Sequence, residues 1–437
     1  MSRVTVIGAG LAGCEAAWQL AGAGYEVVLC EQKPKQYSPA HHSPGFAELV
    51  CSNSLKASRL ESAAGLLKHE MERLGSLTVP CAKQTAVAAG GALAVDRDRF
   101  SHLVTDKIRS HPRIQVMEEE IIHIPEGPCV IATGPLTSDR LAESIRVFLG
   151  EDTLSFFDAA APIVTGDSID FQKAFYASRY GRGEDDYINC AMNQDEYEAF
   201  YQALITAESV ELKEFDRKNF RVYEGCMPIE VMAKRGSDTI RFGPLKPVGL
   251  TDPRTGRRPW AVVQLRRENA DGTCFNLVGF QTNLKFPEQK RVFSMIPGLE
   301  NAEFVRFGVM HRNTFLDSPR LLTADFRCKK GENLYFAGQM TGVEGYMESA
   351  ASGILAGKNL SRALAGKTPL ILPRDTMMGA LAHYISDPSV TDFQPMGSNM
   401  GLLPPAGERI RDKKERYGVV ARRAMDSLER YLAEMGE

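Results

Sequence analysis

The chain opens RVTVIGAGLAG (residues 3–13), and the reading of this stretch decides the fold. RVTVI is a short β-rich run, and GAGLAG follows it without a gap. An amphipathic helical pattern then runs through Trp18 and Leu20 to a glycine stop at Gly22 and Gly24, and EVVLC (26–30) is a second strand ending at Glu31. This is a βαβ unit. In it Gly8 makes the tight turn, Gly10 lets backbone amides approach a pyrophosphate, and Gly13 allows close packing of helix on sheet, with Ala9, Leu11 and Ala12 completing the loop. The helix N-terminus faces the phosphates. Glu31, 23 residues beyond Gly8, stands where a ribose hydroxyl needs an acceptor, and its charge disfavours a 2′-phosphate.

Further along, ATG (132–134) ends a buried-looking strand at Gly134, and a strand near 333 runs into Gly338 and Gln339 before a helix. These resemble the secondary motifs of flavoproteins with two dinucleotide folds and favour FAD over NAD at the first site. Thr341, Gly342 and Gly345 suit an approach to ribityl and pyrophosphate groups, and Tyr346 is placed to stack on a ring. Helical spacing also recurs over 59–74 and 95–111, and TPLILP (368–373) reads as a linker before a helical tail. The expected architecture is α/β: a Rossmann-type FAD domain made of 1–155 and 305–437, interrupted by an α+β insertion over 156–304.

A length of 437 residues exceeds what one core usually serves. With 43% hydrophobic and 24% charged residues the composition is that of a globular protein. There is no apolar run of the roughly 18 residues a membrane helix needs, and no signal-peptide pattern at the start, so a cytoplasmic protein is expected. The nine cysteines are scattered, without a C-x-x-C pair, which argues against a disulfide framework and a metal site. The net charge of -3 excludes a uniformly basic nucleic-acid binder. Positive charge is local instead: Arg217 to Arg267 holds twelve Lys/Arg against four acids, and 409–423 holds seven against two.

LVCSNSLK (49–56) places Cys51 beside Ser52, Ser54 and Lys56, surroundings in which a thiol can ionise and react. Taken with LKHEMERLGSL (67–77), GGALAVDRDRF (90–100), YEGCMPIEVMAKRG (223–236), IRFGPLKPVGL (240–250), GVMHRNTFLDSP (308–319) and FAGQMTGVEGYMESAASG (336–353), it resembles the folate- and FAD-dependent tRNA (uracil-5-)-methyltransferase family from the first strand to about Pro404. The wobble-uridine carboxymethylaminomethyl-modifying flavoproteins share the scaffold. They carry a Cys-Asn-Pro turn where this chain has Cys51-Ser52-Asn53-Ser54, and a longer helical C-terminal region.

The resemblance implies methylation of C5 of the T-loop uridine of tRNA, with 5,10-methylenetetrahydrofolate as one-carbon donor and NADH or NADPH re-reducing the flavin. It implies that one of Cys51 and Cys226 adds to C6 of the uracil while the other assists or acts as base; Cys226, within the basic block, is favoured as the nucleophile. His311 is expected against the folate pterin, with Arg312 and Asn313 at its polar edge. Lys246 is a candidate for folate or RNA. The turn DPRTGRRPW (252–260), read as joining two strands, offers Arg254, Arg257 and Arg258 to phosphates. The remaining cysteines read as structural thiols. The rival reading, an NAD(P)H-dependent flavin oxidoreductase acting on a small molecule, leaves the basic insertion unexplained; an RNA-binding protein with a structural FAD is the third.

Overall fold

The computed structural model describes residues 3–150, 154–159, 161–181, 186–210, 227–268, 272–308, 310–390, 393–407 and 410–437, with side chains left out for 154–159 and 310–314. A five-stranded parallel sheet carries the nucleotide loop, in the order Leu334–Phe336, Cys129–Ile131, Arg3–Ile7, Glu26–Glu31, Ile114–Glu118. The register sets Ile7 beside Cys30 and Ile131, and Ile131 beside Phe336. The turns after the first, fourth and last of these strands in chain order therefore open on one edge. This is the carboxyl edge, where open α/β sheets bind ligands.

The glycine-loop helix Leu11–Gly22 packs against the long helix Tyr346–Leu364 at very short range. A Cβ on Gly353 would collide with the carbonyl of Ala12, and one on Gly357 would come within 2.7 Å of the Ala16 carbonyl. Two stretches more than 330 residues apart in the chain thus meet backbone to backbone, which fixes the Gly338 turn beside the first glycine loop. Gly338 N–H adds a hydrogen bond to Ser352 Oγ at 2.7 Å. Ser62 and Asp96 cap the helices Ala63–Arg73 and Arg97–Ser110, so the two sequence-predicted helices begin at their capping residues.

A second apolar core lies in the insertion. A six-stranded antiparallel sheet, ordered Ala174–Tyr176, Tyr187–Met192, Ala261–Arg267, Cys274–Leu277, Ile163–Thr165, Phe304–Arg306, buries Tyr197, Phe200, Phe275, Phe280 and Phe293 under its helices. The chain enters by Leu154–Ala159 and leaves by Met310–Phe315, and these strands pair antiparallel, Leu154 opposite Phe315. The insertion hangs on a two-stranded stem.

TPLILP is the irregular connection between the helix Tyr346–Leu364 and the helical tail, as expected, and it is held down: Leu370 and Leu372 are buried, and Leu370 N–H donates to Asn359 Oδ1 at 2.6 Å. One local expectation changes. The basic turn at 252–260 leads into one strand and follows a helix, Ser237–Phe242, instead of joining two strands; the Asp252 and Arg257 backbones pair across it. No helix among the described residues is long and apolar enough to cross a membrane.

The close helix crossing makes a direct test. Gly353→Ala is expected to lower unfolding free energy by about 1–3 kcal/mol in urea denaturation, since the added methyl meets backbone that cannot step aside. Gly10→Ala, with nothing within 4 Å of its Cβ and extended dihedrals that any residue adopts, should leave the apoprotein's stability unchanged and release flavin on gel filtration.

A second test concerns Lys68, buried on the helix Ala63–Arg73 with Nζ donating to Leu55 O at 2.7 Å. Burial, assisted by the charge of Lys56 and opposed by Glu348, lowers its pKa from 10.5 to about 8. The folded state thus resists its protonation: the penalty is complete below pH 8 and fades as pH rises to 10.5. Over that window the stability of the wild type should rise relative to that of Lys68→Met, followed by denaturant midpoints at matched pH.

Candidate active site

The three turns at the carboxyl edge enclose a cleft of about 1130 Å³, counting space open to solvent. Gly8, Ala9, Gly10, Leu11 and Ala12 form its floor, Ala132 to Gly134 one wall, Gly338 and Gln339 another, and Tyr346 and Ser349 its inner end. Gly8 has φ +96° and its missing Cβ leaves room for the Ala132 carbonyl, which a side chain would approach to 2.6 Å. Gly134 also has positive φ, with open space where a Cβ would point. Gly13 lies behind the cleft, where a side chain would strike the Gly8 carbonyl; its place is in packing, as the motif requires.

The Glu31 carboxylate accepts Ala9 N–H at 2.8 Å and Lys33 N–H at 3.0 Å. It therefore both braces the glycine loop and retains lone pairs toward the cleft. Lys33, itself buried, ties Gly45 O and Glu48 into the same wall at 2.6 and 3.3 Å. A pyrophosphate flanked by a ribose on one side and a ring system on the other fits this shape, and the chain's residues thus fit FAD. Thr341, Gly342 and Gly345 do not line the cleft. Thr341 is buried with its hydroxyl on Gly338 O, and Gly342 packs against Phe393, so both shape the turn behind the wall.

Cys51 follows Val50, which lines the cleft, and its sulfur meets Tyr346, another lining residue. Its stretch, 49–53, lies just before a strand (Ser54–Ala57), and its polar groups are held from several directions. Arg97 donates to Leu49 O at 2.6 Å, Arg306 to Val50 O at 2.7 Å, and Arg266 to Ser52 Oγ and Asn53 Oδ1 at 2.7 and 2.8 Å. Asn53 Nδ2 donates in turn to Val95 O and Arg267 O. Cys51 N–H and Ser52 N–H both donate to Tyr346 Oη, at 2.8 and 3.2 Å, and Cys51 Sγ lies 3.1 Å from the same oxygen.

A phenol oxygen has two lone pairs and one proton. The two amides occupy the lone pairs, so the Tyr346 O–H is the donor and the sulfur the acceptor. Burial, with the negative charge of Cys51 beside it, pushes the Tyr346 pKa well above its usual value. The hydroxyl stays protonated and favours the thiolate across from it. Tyr346 was expected as a stacking ring; its ring does line the cleft, and its hydroxyl organises the thiol.

Lys56 lies on the strand Ser54–Ala57, and its Nζ pairs at 2.8 Å with Glu348, which also takes Ser398 N–H and O–H. Arg97 and Arg306 both interact with Cys51 through their charge. Arg97 forms a salt bridge with Glu268 at 2.5 Å, the two side chains only 15% and 5% exposed. None of these partners was singled out from sequence; Arg97 lies within the GGALAVDRDRF motif, but nothing local marks it as facing the cysteine.

Of the other expected residues, Cys226 lies outside the described residues, as do the side chains of His311, Arg312 and Asn313. The segment following Cys226 is anchored: Ile229 N–H donates to Gln281 O, and the buried Glu230 carboxylate takes Asn283 N–H and Thr282 O–H at 2.8 Å. Lys246, Arg254, Arg257 and Arg258 are exposed, but Arg254 is already paired with Asp252 at 2.9 Å. Arg241 stacks 3.7 Å over Trp260, and Arg266 is buried, so the basic block is less of a free phosphate surface than its composition implies. Burial raises the thiols of Cys30 and Cys81 to about 11 and pushes Cys14, Cys129, Cys190 and Cys328 up as well, which is the inert behaviour of structural cysteines. Among the described residues no group of His, Cys, Asp and Glu is arranged to hold a metal ion.

The family model described as glucose inhibited division protein A matches residues 3–368. The methylenetetrahydrofolate–tRNA-(uracil-5-)-methyltransferase TrmFO of Acetivibrio thermocellus is 59% identical over 431 residues, 98% of either chain. That of Pelotomaculum thermopropionicum is 60% identical over 429 residues, again 98% of either chain. Among solved structures, Aquifex aeolicus GidA superposes with a TM-score of 0.70 at 19% identity, over 98% of this chain and 76% of that one, which shows a shared fold.

The Tyr346 hydroxyl is separable from its ring. Tyr346→Phe should leave two buried amides without an acceptor, costing about 1–3 kcal/mol of stability. Hydrogen exchange at Cys51 and Ser52 should quicken while the rest of the sheet keeps its protection.

Proposed function

This chain belongs to the methylenetetrahydrofolate–tRNA-(uracil-5-)-methyltransferases, and we propose that it converts the T-loop uridine of tRNA to ribothymidine with Cys51 and Cys226 as its working thiols. It is an FAD- and folate-dependent enzyme of tRNA modification, acting in the cytoplasm. The body formed by 1–155 and 305–437, less the strand Phe304–Arg306 that pairs into the inserted sheet, holds FAD, and the insertion begun at 156 receives folate and RNA. The observation that carries the reading is the placement of Cys51: a thiol next to the cleft-lining Val50, its sulfur 3.1 Å from the hydroxyl of Tyr346, a residue of the same dinucleotide cleft.

C5 of uracil is a poor nucleophile until a thiolate adds at C6 and makes the ring electron-rich. Cys226 takes this role. It forms an S–C6 bond, C5 attacks the methylene carbon of the folate donor, and tetrahydrofolate leaves. The C5 proton must then go to a base, and Cys51 is the group held for it: its sulfur accepts from Tyr346 and sits in the field of Arg97 and Arg306, which favours the thiolate that takes a proton. Bound reduced FAD supplies the two electrons that bring the transferred carbon from the methylene to the methyl level, and NADH or NADPH restores them. Loss of Cys226 from C6 completes the product.

His311, Arg312 and Asn313, on the stem strand Met310–Phe315, contact the pterin. Lys246, Arg257 and Arg258 meet RNA phosphates, with Arg254 holding the turn through Asp252. The phosphate contacts give binding that weakens with salt and carries no sequence information. The full-length similarity to the methyltransferases favours this reading over a flavin oxidoreductase acting on a small molecule.

The test is methylation of unmodified tRNA with methylenetetrahydrofolate and NADPH or NADH. Wild-type protein should be yellow and incorporate a methyl group at C5. Cys51→Ala and Cys226→Ala should each retain flavin and lose methylation by about 100-fold or more, the scale of losing an acid–base group. Trapping on 5-fluorouridine T-arm RNA, with mass spectrometry of the crosslinked peptide, should yield Cys226. A crosslink at Cys51 would reverse the two roles, and NADPH oxidation unaffected by either substitution, with no methyl incorporation, would return the protein to the oxidoreductases.

A further inference from the structure

Three guanidiniums, those of Arg97, Arg266 and Arg306, converge on residues 49–53, and one carboxylate, Glu268, stands among them. Arg266 is 6% exposed, Arg97 15% and Glu268 5%. The neighbouring Lys56–Glu348 pair adds no net charge, and Tyr346, on the facing helix, is protonated. The pocket therefore holds more positive than negative charge where water is largely excluded. Desolvated charge of one sign is costly unless an anion joins it.

Arg306 is the sharpest expression of this excess. It comes from the last strand of the inserted sheet, Phe304–Arg306, and reaches across to the other body to bind Val50 O. Its Nε is buried and has no hydrogen-bond partner among the described residues. Burial and the proximity of Arg97 both disfavour its charge, whereas Glu268, Tyr346 and Cys51 favour it. Arg97 feels the same neighbours, Glu268 foremost among the groups that support its charge against burial. Among the groups that act on both arginines, the sulfur of Cys51 is the one besides Glu268 that can carry a balancing negative charge, Tyr346 being held protonated.

We propose that Arg306 is a positioning residue by which the inserted body, together with Arg97, holds Cys51 as a thiolate, Glu268 setting how much of that positive charge the sulfur feels. The role follows from geometry: one arginine bonds the carbonyl two residues before the cysteine, the other the carbonyl immediately before it, and the Tyr346 hydroxyl completes the surroundings of Sγ. Because Arg306 belongs to the insertion and Cys51 to the FAD body, the thiolate is assembled only when the two bodies are seated together. The inference rests on the working role given to Cys51 above, but its chemistry can be read without tRNA or folate.

The experiment is alkylation of FAD-loaded protein by iodoacetamide across a pH series, the sulfur displacing iodide as the S–C bond forms, with the Cys51 peptide quantified by mass spectrometry. In the wild type the midpoint should lie below the ordinary thiol value of about 8.5. Arg306→Gln should raise it by about one pH unit, and Arg306→Lys, which restores a charge, should recover part of that shift. Glu268→Gln, which removes the counter-charge, should move the midpoint down. Opposite signs for the arginine and glutamate variants distinguish an electrostatic role from a structural one, since simple loosening of the loop would move both in the same direction. A midpoint unmoved by Arg306→Gln, or shifts of the same sign in both variants, would overturn the proposal. If Arg306→Gln does not fold, Glu268→Gln and Arg306→Lys decide it alone. Methylation that fails with the alkylation shifts intact would count against the proposed function and leave this inference standing.

Discussion

Buried backbone polar groups must find partners, and residues 49–53, which form neither helix nor strand, cannot supply their own. Distant residues claim polar groups all along this stretch: Arg97 at Leu49, Arg306 at Val50, Tyr346 at Cys51 and Ser52, Arg266 at Ser52 and Asn53. The arrangement of the whole molecule converges on this segment. Helix Tyr346–Leu364 supplies the tyrosine, the inserted sheet supplies two of the arginines, and the helix Arg97–Ser110 supplies the third at its first residue.

That convergence depends on how tightly the scaffold is built. The long helix can place Tyr346 at the end of the cleft only because Gly353 and Gly357 let it ride on the backbone of the first helix, and that crossing also aligns the Gly338 turn with the Gly8 loop. One tight contact thereby sets both the shape of the dinucleotide cleft and the position of the thiol beside it. The dinucleotide cleft and the Cys51 sulfur share a frame, so movement of either helix would disturb both.

The first turn was legible because its signal is local. Gly8, Gly10 and Gly13 are required by a backbone path completed within a few residues, and Glu31 follows at the end of the adjacent strand, where it closes the loop through Ala9. TPLILP was legible as a connection for the same local reason, but the burial of its Leu370 and Leu372 depends on a core assembled from elsewhere. The partner of Lys56 was not legible either: a left-handed φ of +63° at an irregular step of its strand accompanies a salt bridge to Glu348, 292 residues away.

By itself the sequence determined the α/β class, the dinucleotide loop and the family, all carried by short contiguous motifs whose geometry is dictated by neighbours along the chain. It also singled out Cys51. Only the tertiary structure decided what surrounds that sulfur, because charge acts through space. Arg306 is separated from Val50 by 256 residues and Tyr346 from Cys51 by 295, and no periodicity or spacing encodes a contact across such distances. The same side chains that look like a basic block in sequence divide, once folded, into buried arginines that hold the cysteine segment and exposed ones left for a partner, a division made by burial alone.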